Sequence, residues 1–286
     1  MNRFILHCAT IMIFVLGGLC GFSLQGLSGQ EPPLPAKLLP LPTETFLVAE
    51  FPAFLTLPEP NKRSTPQPWV MYAPTLPGYP DEHEQWMHRQ FLDAGIAIAG
   101  VDAGEAYGSP EGCRAMSALY SFVTGERGCA PKVALLGRSR GGLWVSSWGA
   151  ENVEKVAGIA GIYPVFDLRS YPGLEKAAGA YQLSASELET RLETLNPLAK
   201  VDRLAKARVP IFIIHGDVDT VVPLEKNSAI VQARYQALGA GDALEMIVPE
   251  GQGHNFWEGF FRCQPLVDFV IRQAREGNQR KTSEGP

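Results

Sequence analysis

The stretch Gly137-Arg138-Ser139-Arg140-Gly141 is the tightest constraint in this chain. It follows the apolar run Val133-Ala134-Leu135-Leu136 and leads into Gly142-Leu143-Trp144-Val145. A short apolar run suits a buried strand, and the residues beyond the motif suit a buried helix. Strand must therefore give way to helix across a very short turn with a serine at its apex. That apex demands a backbone conformation most side chains avoid. The flanking glycines remove the Cβ atoms that would clash where strand and helix close on each other. The hydroxyl then stands clear of the sheet, in front of a helix N-terminus that favours developing negative charge.

Two later stretches repeat the pattern of an apolar strand ending in a chemically loaded turn. Ile211-Phe212-Ile213-Ile214 runs into His215-Gly216-Asp217-Val218-Asp219-Thr220-Val221-Val222-Pro223, and residues 244–248 run into Pro249-Glu250-Gly251-Gln252-Gly253-His254. Serine, aspartate and histidine thus arrive in that order, each at the C-terminal end of a predicted strand. Open α/β sheets place their active sites at such ends. Residues 45–49 and 53–57 read as early antiparallel strands. Further strands are expected over 69–73, 95–101 and 156–163, and helices over 82–94, 111–124 and 265–276. Near-continuous apolar strands alternating with helices imply a mostly parallel sheet covered on both faces. Residues 167–208 break the alternation and read either as a short helical cap over the site or as two ordinary connecting helices.

The motif order, together with the pattern His215-Gly216-x-x-Asp219-x-x-Val222-Pro223, resembles the α/β-hydrolase superfamily over nearly all the chain beyond its N-terminal segment. The resemblance is closest to the esterase, dienelactone-hydrolase and prolyl-oligopeptidase-like branches. It implies the α/β-hydrolase fold and a serine hydrolase that needs no cofactor. Ser139 would be the nucleophile and His254 the base that takes its proton and returns it to the leaving group. Asp219 would orient the histidine, with Asp217 as the competing acid. One oxyanion donor would be the backbone N–H of Arg140. The other would come from Pro74-Thr75-Leu76-Pro77-Gly78, where relatives often carry His-Gly-x-Pro-Gly. Both prolines lack an N–H, and register favours Leu76 over Thr75. No Cys or His spacing resembles a zinc site.

Arg138 and Arg140 on either side of the serine read two ways. They suit planar recognition of an anionic or polyhydroxyl substrate, or ion pairs with Glu105, Asp102 or Glu151 that brace the turn. Glu105 lies in residues 102–110, beyond another strand end, and joins the substrate-binding candidates with Arg138, Tyr163 and Trp257. Tyr171 is a further candidate wall. His83 and His88 fall on a predicted surface helix and carry no site signal, and His215 is expected to bond backbone where its strand ends.

The N-terminus reads as targeting rather than fold. A positive start, an apolar run over residues 4–19 and small residues near 26–28 form a secretory leader, followed by a Pro-rich linker to residue 43. The hydrolase domain is then expected over 44–276, with a disordered tail over 277–286. The formal net charge of −5 and the absence of a basic tract argue against nucleic acid, and no cationic amphipathic helix argues for a stable membrane partner. Cys113, Cys129 and Cys263 remain beyond the leader, so one disulfide and one thiol are compatible with export. A secreted or periplasmic enzyme acting on a small-molecule or saccharide ester follows. A peptidase and a non-catalytic binding protein on the same fold are the alternatives.

Overall fold

The computed structural model describes residues 37–279. The expected leader, most of the Pro-rich linker and the last seven residues of the expected tail lie outside them. Eight strands form one sheet in the order β1-β2-β4-β3-β5-β6-β7-β8. They are β1 (Thr43–Val48), β2 (Phe51–Thr56), β3 (Trp69–Ala73), β4 (Ala97–Val101), β5 (Val133–Arg138), β6 (Val156–Ile162), β7 (Ile211–Ile214) and β8 (Leu244–Ile247). β1 and β2 pair antiparallel, as do β2 and β4, and every other pairing is parallel. With helices on both faces, this is the α/β-hydrolase fold.

The period of two along the strands divides the core. Trp69, Met71, Val133 and Leu135 face one layer, with α2 (Pro110–Glu126) and α3 (Gly141–Glu151). Val70, Tyr72, Ala134 and Leu136 face the other, with α1 (Gln85–Asp93) and the C-terminal helix. Central strands buried on both sides run near-continuously apolar, and β3, β4, β5 and β6 are buried at every position, with Arg138 at the end of β5 the charged exception.

Residues 167–208 resolve into α4 (Leu174–Ala177), α5 (Ala185–Thr190), α6 (Leu192–Leu195) and α7 (Pro197–Lys206). Leu198, Val201 and Leu204 of α7 join the main core as an ordinary crossover helix would. The earlier part has a small core of its own, in which Leu168, Ala177, Tyr181 and Leu188 pack on Tyr107, Leu143 and Val222. Two further helices, α8 (Ser228–Ala237) and α9 (Glu258–Phe261), precede α10 (Gln264–Gln279), which runs a few residues into the stretch expected to be disordered.

Cys113, Cys129 and Cys263 are all free and buried, and burial pushes the Cys113 and Cys129 thiols up to about 12. His88 is fully buried rather than on the surface, because it shares the apolar stripe of α1 with Met87, Phe91 and Leu92. Among the described residues no helix is long and apolar enough to cross a membrane.

Candidate active site

The turn after β5 takes the strained form its glycines anticipate. Ser139 has φ 52°, in the left-handed region, and its N–H donates to the Ile162 carbonyl at 2.9 Å. Its own carbonyl accepts from the Gly142 and Val165 N–H groups, which locks the apex between β6 and the start of α3. A Cβ at Gly141 would fall inside contact distance of the Ala73 carbonyl, so only glycine lets the turn sit this close to β3. Arg140 follows at the mouth of α3, where the first backbone N–H groups have no intrahelical acceptor.

The loops after β7 and β8 are tied together. The Val218 N–H donates to the Gln252 carbonyl at 3.1 Å and the His215 N–H to the Ile247 carbonyl at 3.0 Å. This brings Asp219 and His254 to the serine. Ser139 Oγ lies 2.9 Å from His254 Nε2, and His254 Nδ1 lies 2.7 Å from Asp219 Oδ2. The other Asp219 oxygen accepts from the Val221 and Val222 N–H groups at 3.0 and 2.8 Å. Burial pushes the Asp219 carboxyl upward. Hydrogen bonding with His215, His254 and the Val222 N–H outweighs burial and holds it below the ordinary carboxylate range. His215 bonds the Val222 carbonyl through Nε2 at 2.8 Å, and its Nδ1 lies 2.7 Å from Ser228 Oγ. Asp217 stands apart from His254, with one carboxylate oxygen buried and without a hydrogen-bond partner among the described residues.

A cavity of about 190 Å³ opens over Ser139 and His254. Its walls are Tyr79, Tyr163, Tyr171, Val221 and Phe256, and both Arg138 and Arg140 line it. Tyr163 packs on His254 with ring centroids 4.2 Å apart. Tyr171 is the contribution of the 167–208 excursion.

Other expected site residues lie elsewhere. Trp257, just before α9, is 41% exposed, packs edge-on against Phe260 and is not part of the cavity lining. Glu105 does not line the cavity; its carboxylate lies 3.1 Å from Arg140 Nε, the bracing role that was the alternative. The Leu76 side chain is buried and outside the lining, where its loop presents Pro74 and Tyr79, and its expected part is through its backbone N–H.

Arg138 is nearly fully buried. Its guanidinium reaches Asp81 at 2.7 Å and Glu84 at 3.1 Å, beneath the rings of Tyr79, Phe256 and Phe261. Tyr72 Oη donates to Glu84 at 2.5 Å, and Asp81 and Glu84 cap the helical turn that leads into α1. Burial pushes the Glu84 carboxyl up, against the pull of Arg138. Neither acid was expected as a partner. The Asp-x-x-Glu spacing of Asp81 and Glu84, a capping-box signature, was the available signal.

The prolyl oligopeptidase family model matches residues 114–269, more than half of the chain, including Ser139, Asp219 and His254. Est1E from Butyrivibrio proteoclasticus superposes with a TM-score of 0.61 at 16% identity, over 82% of this chain and 99% of that one. Dipeptidyl peptidase 4 of Porphyromonas gingivalis superposes with a TM-score of 0.63 at 16% identity, over 82% of this chain and 35% of that one. A puromycin-hydrolyzing peptidase of Mycobacterium tuberculosis gives 0.60 at 17% identity, over 82% and 39%. The chain thus spans almost all of Est1E and well under half of either peptidase. No curated protein matches the sequence.

Proposed function

The chain belongs to the prolyl oligopeptidase family of serine hydrolases, and from that premise we propose that it cleaves carboxylic esters through an acyl-enzyme formed on Ser139. The relay from Ser139 Oγ through His254 to Asp219, at 2.9 and 2.7 Å on a strained strand-to-helix turn, carries this reading. His254 Nε2 accepts the serine proton as Oγ attacks the ester carbonyl. Asp219 holds the Nδ1–H and stabilises the imidazolium. The Arg140 N–H, at the positive end of α3, would donate to the developing oxyanion. His254 then protonates the departing alcohol, and a water molecule repeats the cycle to release the acid and restore Ser139.

Membership of the family and the two peptidase neighbours favour a second reading, an aminopeptidase-like enzyme. Such an enzyme needs a carboxylate to hold the substrate ammonium. Among the described residues no Asp or Glu lines the cavity, and Glu105 sits outside it beside Arg140. That charge pattern favours the ester. The small volume and aromatic walls suit a short or planar acyl group, in keeping with Est1E, which is known with ferulic acid bound. Export by the leader-like N-terminus would place the enzyme among soluble extracellular esters, those of saccharides included.

Fluorophosphonate labelling with peptide mass spectrometry, run beside a p-nitrophenyl acetate assay, tests the proposal. The label should fall on Ser139, and Ser139→Ala should lower ester turnover by about 10⁴-fold or more while leaving the circular dichroism spectrum unchanged. Retained turnover in Ser139→Ala would refute it. Failure of the native protein to label or turn over would favour a binding protein. Cleavage of aminoacyl amides at rates above the ester would favour the peptidase.

A further inference from the structure

The two arginines that flank the nucleophile are in opposite situations. Arg138 is enclosed and paired with two carboxylates. Arg140 lines the cavity, and its only charged neighbour within ion-pair distance among the described residues is Glu105, 3.1 Å from Nε. That contact lacks hydrogen-bond geometry. The Arg140 Nε–H is buried without a hydrogen-bond partner among the described residues. Glu105 is itself 44% exposed on its side chain, and the Tyr79 ring covers the guanidinium face at 5.5 Å. A guanidinium kept over an aromatic ring, with one buried donor unsatisfied and only a half-exposed carboxylate beside it, is a planar fork that a second anion can engage. Pro74, Tyr163, Tyr171, Val221 and Phe256 give the cavity apolar and aromatic surface, which strengthens a charge-assisted pair formed inside it.

We propose that the substrate carries a carboxylate beside the ester, and that the Arg140 side chain binds this carboxylate while its backbone faces the oxyanion. The inference rests on the ester-hydrolase reading and narrows it to anionic esters. The carboxylate can sit on the acyl side, as in a half-ester of a dicarboxylic acid, or on the alcohol side. Arg140 follows Ser139 directly, so either carboxylate must lie within a few bonds of the scissile carbonyl. Arg140 is a specificity residue here, and its contribution belongs in the ratio between anionic and neutral substrates.

The test compares kcat/KM in two matched pairs on the full chain. p-Nitrophenyl hydrogen glutarate against p-nitrophenyl butyrate probes the acyl side, and 4-carboxyphenyl acetate against phenyl acetate probes the alcohol side. The native enzyme should prefer the anionic ester by about 30-fold in one pair, which identifies the side. Arg140→Gln should remove that preference, and Arg140→Lys, which keeps the charge but loses the fork, should retain only about a tenth of it. Where Arg140→Gln is too slow to measure, the Arg140→Lys ratio decides, since a bracing role would leave it at the native value. No anionic preference in either pair, or a preference that survives Arg140→Gln, overturns the inference and leaves the ester-hydrolase reading intact. Absence of turnover on all four esters overturns that reading, and the inference falls with it.

Discussion

His88 should make this protein sensitive to mild acid. It is fully buried on α1, neither ring nitrogen has a hydrogen-bond partner among the described residues, and its neighbours are the rings of Tyr72 and Phe91. Burial lowers its pKa from 6.5 to about 3, so the folded state holds it neutral. The unfolded chain accepts the proton first as pH falls. Stability associated with this residue is therefore intact above about pH 6.5 and drains away between there and about pH 3. Each pH unit in that window is worth roughly 1.4 kcal/mol, so moving from pH 7 to pH 5 should remove about 2 kcal/mol. His88→Leu keeps an apolar side chain on the stripe and removes both the titration and the two orphan nitrogens. It should be at least as stable at neutral pH, since replacing unpaired buried polar groups with apolar ones is neutral or stabilising. Urea unfolding of both proteins at pH 7 and pH 5 checks this: the stability gap should widen by about 2 kcal/mol in favour of the variant at the lower pH. Parallel pH dependence would refute the reasoning, because it would mean that His88 titrates alike in folded and unfolded chains.

Two further outcomes test the site. Asp219→Asn should lower kcat for esters by about 10⁴-fold through loss of the histidine's orientation, whereas Asp217→Asn should stay within about tenfold of the native enzyme; the reverse order would exchange their roles. Gly141→Ala places a methyl group against the Ala73 carbonyl, so it should destabilise the fold by about 1–3 kcal/mol in thermal denaturation and displace Ser139 enough to depress ester turnover. A variant with native Tm and native turnover would mean that the turn does not need this approach.

What the sequence displayed clearly was local. Apolar runs bounded by glycines mark β5, β7 and β8, and chemistry-bearing residues at their C-terminal ends need no long-range information to be found. What it hid depends on which distant element meets which. Arg138 and its acids Asp81 and Glu84 are joined only because α1 packs against the face of the sheet that also receives Leu136 and Ala134. Glu105 and Trp257 sit at the correct ends of their strands, yet a strand end fixes a neighbourhood and not a direction. The chain leaves the cavity in one case through an exposed ion pair and in the other through the start of α9. His88 was misplaced for another reason. Its polar neighbours His83, Glu84, Gln85 and Arg89 mask the inward stripe in the sequence. Met87 with Phe91, and His88 with Leu92, are each four residues apart and form one inward stripe that includes the histidine.

The separate fates of the two arginines follow from the same geometry. Along β5, Ala134 and Leu136 point to the α1 layer, so Arg138, two further on, must enter it too, and a buried guanidinium there requires carboxylates. The left-handed backbone at Ser139 then breaks the alternation. Arg140 begins a helix instead of continuing a strand, and its side chain emerges on the cavity side, beyond the reach of Asp81 and Glu84. One strained residue thus presents the nucleophile and also leaves the next residue's charge facing the cavity. Bracing by Glu105 alone leaves the buried Arg140 Nε–H without a well-formed hydrogen bond, and an anion in the cavity would supply that acceptor.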